Sequence, residues 1–253
     1  MPFSFANTNP DLPYAPGRWL IDPVRPWRRF AALGAILGGF IPVLAWATTG
    51  AVWTVGTAAA VAAYCVALIL AVWSFRRTYP HPTLGLCNGV TLIRLALVSA
   101  LVAPLVSGTV ITLPLLLIAT LAFALDGADG WLARRTNLTS GFGARFDVEV
   151  DSVFALLLAC LAIEGGLHPV VLLLGLPRYA FGLAQLFDMR FSQPLPERFS
   201  RKVVCVVQIA TLIGLTVPWI DPDLRHGAAV LCAGLVTWSF AVDIRTILWA
   251  SAS

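Results

Sequence analysis

The chain has 253 residues, of which 58% are apolar and only 12% charged. Soluble domains carry about 25% charged residues, so most of this chain has no watery surface to occupy, and a soluble globular protein is excluded. The formal net charge of +4 comes from arginines placed beside apolar runs. It points to membrane topology and an anionic lipid surface, with no nucleic acid as partner.

Residues 1–28 contain six prolines and alternate aromatic with polar groups, which predicts an irregular cytoplasmic arm. Eight apolar stretches follow, at about 29–48, 52–74, 86–106, 110–132, 143–164, 168–188, 202–220 and 226–249. Each approaches the roughly 20 residues that a spanning helix needs. Residues 31–49 resemble the apolar segment of a signal peptide but are long for one. A second span follows at once, so the segment reads as a retained anchor. The first two spans hold no charge, and Gly34 and Gly38 form a small-xxx-small pair of the kind that packs helices. Residues 29–80 are therefore expected to form two accessory transmembrane helices.

The arginines alternate along this map. Arg18, Arg25, Arg28 and Arg29 precede the first span, Arg76 and Arg77 follow the second, and Arg134 and Arg135 follow the fourth. Arg190, Arg198, Arg201 and Lys202 follow the sixth, and Arg225 is the exception on the other side. Positive charge marks cytoplasmic loops. Both termini are therefore expected in the cytoplasm, with the protein in the cytoplasmic membrane. Trp27, Trp73, Trp131 and Trp249 near inner ends and Trp53 and Trp219 near outer ends form the matching interfacial belts. The five cysteines have neither zinc-ligand nor redox spacing and read as small buried hydrophobes.

From His81 onward charged groups enter the apolar runs, and any chemistry is expected in residues 81–253. The third span opens with Asn88-x2-Thr91-x2-Arg94. Asn88 and Thr91 share a face; a helix N-cap is the other reading of Asn88. The most informative stretch is Asp126 to Asp151. Ionisable groups at membrane depth are costly and point to function. Asp126 and Asp129 are three apart, and Asp147 and Asp151 four apart, so each pair shares a helix face. A short basic turn joins the two helices, so the faces can meet. Four carboxylates together repel one another unless a cation neutralises them. Oxygen-only ligands suit Mg²⁺, Mn²⁺ or Ca²⁺ rather than zinc, and four could hold two ions of the kind that clamps a phosphoryl transfer. Gly130, Gly143 and Ala133 leave room for a close ligand, and Arg134 can fork onto phosphate oxygens. Glu149 points away from the face shared by Asp147 and Asp151, as a solvated or supporting group would. Asn137-Leu138-Thr139 matches a glycosylation pattern but falls in an expected cytoplasmic loop.

The pattern Asp126-x2-Asp129-Gly130-x2-Ala133-Arg134-x8-Gly143-x3-Asp147-x3-Asp151 resembles the signature of the CDP-alcohol phosphotransferases. The wider resemblance covers about residues 86–250. It implies an all-α polytopic membrane protein whose six-helix core follows the two extra transmembrane helices. It also implies transfer of a phosphatidyl group from CDP-diacylglycerol to a small alcohol, with release of CMP. Asp126, Asp129, Asp147 and Asp151 would bind the metals, two Mg²⁺ or Mn²⁺ ions. Asp151 would also be the general base. Asn88, Thr91, Asp129, Gly130, Ala133, Arg134 and Gly143 would hold the CDP donor. Membrane lipid and a second copy, as a homodimer, complete the implied partners.

On the acceptor side, Arg178 lies within the sixth span and needs a partner, for which an anionic acceptor is one candidate, with Lys202 beside it. The family's phosphatidylglycerophosphate synthases carry Gly-Lys-x-Lys-Thr-x-x-Gln near here. This chain has Ser200-Arg201-Lys202-Val203-Val204-Cys205-Val206-Val207-Gln208. Lys202 and Gln208 match, while Val204 and Cys205 depart from the pattern. The acceptor thus stays open among glycerol 3-phosphate, inositol phosphate and other alcohols. A membrane prenyltransferase also uses aspartates and magnesium, but its two acidic motifs lie far apart in sequence. An ion transporter with a carboxylate site is the non-enzymatic alternative.

Overall fold

The computed structural model describes residues 25–109, 112–136, 140–187 and 198–250; within them, the side chains of 128–136, 186, 199 and 248–250 lie outside the description. Of the expected arm at 1–28, residues 1–24 lie outside the described residues and 26–28 already belong to a helix; the loops at 137–139 and 188–197, with Arg190, also lie outside the described residues, as does Arg18. All regular structure among those described is helical, and the protein is an all-α polytopic membrane protein.

The first apolar stretch forms α1 (Pro26–Gly38) and α2 (Ile41–Thr49). They part at Gly38-Gly39, and Pro42 near the start of α2 cannot extend the ladder backwards. The second stretch is α3 (Val55–Thr78), capped by Thr54, whose Oγ1 accepts from the Thr57 amide at 2.9 Å. The third is α4 (Leu86–Ala100) and α5 (Val102–Ser107), interrupted just before Pro104. Then come α6 (Leu113–Thr136) and α7 (Gly141–Glu164), the latter capped by Ser140. The sixth stretch is not one helix. A 3₁₀ turn at Pro169–Val171 leads into α8 (Leu172–Gly175) and α9 (Pro177–Phe187), because Pro177 starts a new helix rather than continuing the old one. The chain ends in α10 (Phe199–Leu215) and α11 (Pro222–Ala250).

Four segments, Pro26–Thr49, Val55–Thr78, Leu86–Ser107 and Pro222–Ile247, are long and apolar enough to cross a bilayer. Helices α6 and α7 have 24 residues each, which also suffices at 1.5 Å per residue; acids and arginines at one end dilute their hydropathy. Outward faces carry large apolar side chains such as Ile36, Trp46, Ile69, Leu117 and Leu231. Solvent-facing positions would not, and lipid-facing ones do.

Packing bears out the small-residue pair. A Cβ at Gly34 would meet Leu68 of α3, and one at Gly38 would meet Tyr64. The Tyr64 hydroxyl also donates to the Gly34 carbonyl at 2.7 Å. A second seam ties α1 and α3 to the start of α7. Phe30 stacks on Phe75 at 4.7 Å, Phe75 on Tyr79 at 4.1 Å, and Phe142 and Phe146 close the cluster edge-on. Such pairs add about 0.5–1.5 kcal/mol each beyond the area they bury. Phe142 and Phe146 lie one turn apart, so they fix one face of α7 and leave the Asp147–Asp151 face turned elsewhere.

Gly56 marks the tightest approach. A Cβ there would fall 2.3 Å from both the Ala103 carbonyl oxygen and Ser107 Oγ, and a backbone oxygen on a packed helix cannot step aside. Gly56→Ala should destabilise the α3–α5 contact by about 1–3 kcal/mol, seen as a lower melting temperature in detergent. Gly234→Ala, at a site with open space around it, should be neutral or gain up to roughly 1 kcal/mol.

Candidate active site

The site lies where α6 finishes and α7 begins, with α4 behind them. Helix α4 sends a buried stripe of Asn88, Thr91 and Arg94 into this space. Arg94 is 1% exposed, and its guanidinium reaches three carboxylates. Nη1 pairs with Asp126 Oδ1 at 3.0 Å and with Asp147 Oδ1, while Nη2 pairs with Asp151 Oδ1. Nε donates to the Ala122 carbonyl at 3.3 Å. The carboxylates are about one-third exposed, at 32%, 34% and 39%. They therefore line an opening, with the arginine at their back.

Carboxylate oxygens of Asp126, Asp147 and Asp151 lie within 4.8 Å of one another. Three hard oxygen donors at this spacing fit Mg²⁺ or Mn²⁺. The Asp129, Gly130, Ala133 and Arg134 positions fall in the last turns of α6, and their side chains lie outside the description. Gly143 sits in the first turn of α7, its amide donating to Ser140 Oγ at 3.0 Å. A Cβ at Gly143 would stand 3.1 Å from Asn88 Oδ1, so the glycine lets α7 and α4 close on each other. Asn88 is 1% exposed, and among the described residues its amide faces the Tyr79 hydroxyl while Nδ2 makes no well-formed hydrogen bond. It lies inside α4, whose N-cap is Gly85, so the capping reading of Asn88 is corrected. A buried donor this poorly satisfied is costly and marks a place where a polar ligand atom would be welcome. Thr91 Oγ1 donates to the Cys87 carbonyl at 3.0 Å.

The acceptor candidates do not join this cluster. Arg178 on α9 pairs with Glu149, which is half a turn from Asp147 and Asp151 on α7. Arg178 thus has a protein partner, with Glu149 as its counter-ion. Lys202 is exposed on α10, next to Arg201. Gln208 donates to the Leu174 carbonyl, supplying the broken sixth stretch with a side-chain partner where its backbone departs from the helix.

Sequence reasoning missed two functional-looking groups. Spacing makes Arg94 part of an opening motif and no more, yet an arginine nine residues into an apolar helix needs acids at its depth. Asp243 was overlooked too. It is 7% exposed on α11 and takes Arg198 Nη1, Arg201 Nε and Arg201 Nη2, each at 3.0 Å. Helix α10 packs on α6, α7 and α11, and Cys205 on it lies within electrostatic reach of Asp126, Asp151, Arg201 and Asp243. The two charged clusters are thus neighbours across α10.

A bundle of lipid-facing helices that gathers carboxylates and arginines at one end defines a membrane-embedded protein with an ionic centre. Residues 84–243 match the family model for CDP-alcohol phosphatidyltransferase. The chain belongs to that family, and it is a transferase of phosphate-containing groups. Comparison with curated proteins and with solved structures gave no match.

Arg201 supplies two of the three bonds to buried Asp243 and Arg198 one. Arg201→Met should therefore lower stability by on the order of 1–3 kcal/mol, and Arg198→Met by less. Melting temperatures of the two variants in one detergent check the order.

Proposed function

We propose that this protein transfers a phosphatidyl group from CDP-diacylglycerol to an alcohol acceptor, a small polyol or its phosphate, and releases CMP at the cytoplasmic face of the cytoplasmic membrane. The observation that carries this reading is the meeting of Asp126, Asp147 and Asp151 inside a chain of this family. Residues 81–253 would form the catalytic domain, residues 29–80 the accessory pair and residues 1–28 the arm. The orientation rests on the arginine pattern, and a homodimer is supported by the family resemblance.

A lipid donor keeps its acyl chains among the outward apolar faces and brings its diphosphate to the carboxylate end. Divalent cations held by Asp126, Asp129, Asp147 and Asp151, two Mg²⁺ or Mn²⁺ ions, would supply charge neutralisation of the diphosphate and its leaving group. The protein's own groups do the rest. Asn88, buried where α4 meets α7, would donate to the nucleotide through Nδ2, with Thr91 beside it. Gly143 keeps Asn88 close, and Asp129, Gly130, Ala133 and Arg134 would complete the donor pocket. Asp151, the most exposed of the three acids, would accept the acceptor's hydroxyl proton. The acceptor oxygen then bonds to the phosphatidyl phosphorus as the bond to CMP breaks, and the electron pair leaves on CMP. Arg178 and Lys202 remain the proposed acceptor contacts; the Arg178–Glu149 pair would have to open or share its guanidinium to serve.

The test is CMP release in sealed vesicles of known orientation, with CDP-diacylglycerol in the bilayer and a panel of alcohols and their phosphates outside. Activity should appear when the cytoplasmic face is outermost, vanish with chelator and return with Mg²⁺ or Mn²⁺. Prenyl diphosphate as the only productive donor, or ion flux without CMP, would replace this reading with one of its rivals.

Asp151→Asn keeps the shape and one ligand oxygen but takes no proton near neutral pH. It should lose turnover by roughly 10²–10⁴-fold while still binding the CDP donor. Asp126→Asn should weaken cation and donor binding together. Calorimetry with donor, set against CMP release, separates the two.

A further inference from the structure

We propose that Arg94 is a built-in counter-ion of the carboxylate centre, which holds the aspartates together without metal and sets how tightly the centre takes a divalent cation. This rests on the cation reading above and adds a determinant of occupancy to it.

Three observations carry the inference. The guanidinium contacts one oxygen of each of Asp126, Asp147 and Asp151, so a single side chain from α4 bridges both acid-bearing helices. It is 1% exposed, and its Nε is tied to the Ala122 carbonyl. A side chain that is enclosed and anchored to backbone has nowhere to swing, so a cation must share the carboxylates with it rather than replace it. The charge count then matters. Against Asp126, Asp147 and Asp151, with Asp129 as the proposed fourth acid, Arg94 lowers by one the net negative charge that attracts a cation.

Two consequences follow from Coulomb's law at these separations. Without metal, Arg94 relieves the repulsion among the acids, so the metal-free protein stays folded. With metal, the same charge opposes the ion. The centre therefore holds its cation weakly until an anionic diphosphate arrives to add negative charge. Cation and donor should bind with positive coupling, and that coupling is reciprocal.

The experiment compares full-length wild type with Arg94→Met in detergent, using Mn²⁺ alone and Mn²⁺ with CDP. Mn²⁺ binding is read by calorimetry, and melting temperature is read with and without chelator. Arg94→Met should bind Mn²⁺ about tenfold or more tightly than wild type when no nucleotide is present. It should also lose more melting temperature in chelator, and CDP should enhance its Mn²⁺ affinity less. Arg94→Lys, which keeps the charge without the fork, should stay near the wild-type affinity. If Arg94→Met does not fold even with Mn²⁺, Arg94→Gln, neutral but still hydrogen-bonding, takes its place with the same expectations. Equal or weaker Mn²⁺ binding in a folded neutral variant, with no added sensitivity to chelator, would overturn the counter-ion role and leave the cation site standing. Absence of Mn²⁺ binding in wild type and variants alike would overturn the cation site, and this proposal with it.

Discussion

Everything at the carboxylate end depends on one buried arginine meeting three acids. An arginine inside an apolar helix is costly, by a few kcal/mol on insertion scales, unless acids reach it at the same depth. Arg94 meets that condition with partners from two other helices. The requirement fixes the relative heights of α4, α6 and α7, since sliding any of them by one turn, about 5.4 Å, would strand a charge. Removing one partner from such a group costs far more than the pair contributes, so the arrangement resists drift even where its net stabilisation is small.

The rest of the molecule braces this geometry from behind. Helix α7 carries its acids on one face and Phe142 and Phe146 on another, and the aromatic cluster with Phe30, Phe75 and Tyr79 clamps the second face. Helices α1 and α3 lie outside the family match at 84–243, yet with Tyr79 they supply three of the cluster's five rings. On the far side, Gln208 and the Arg198–Arg201–Asp243 cluster hold α10 against the broken sixth stretch and α11. The site is thus set between an apolar brace and a charged one.

Much of this was legible because local periodicity carries it. Runs of apolar residues locate the helices, and the four-residue spacing of Asp147 and Asp151 places that pair on one face, where Asp126 meets it. The interruptions at Gly38-Gly39, Pro104 and Pro177 do not show in averaged hydropathy, which is blind to glycine's backbone freedom and to proline's missing donor. Partnerships across the bundle were harder still. Arg94 meets acids 53 and 57 residues away, and Arg178 meets Glu149 across 29. Spacing along a chain says which groups share a face, but not which face of another helix they will find. Asp243 escaped notice for the same reason, as its arginines lie 42 and 45 residues earlier.

The order of these groups along the chain bears on how the protein is made. Arg94 leaves the ribosome before Asp126, and well before Asp147 and Asp151. During that interval α4 is an apolar helix carrying an unmatched positive charge, a poor candidate for release into lipid on its own. Its stable position exists only once α6 and α7 have arrived. The arrival of α6 and α7 then lowers the cost of that charge, so the packing of α4 and the completion of the carboxylate centre are one event rather than two.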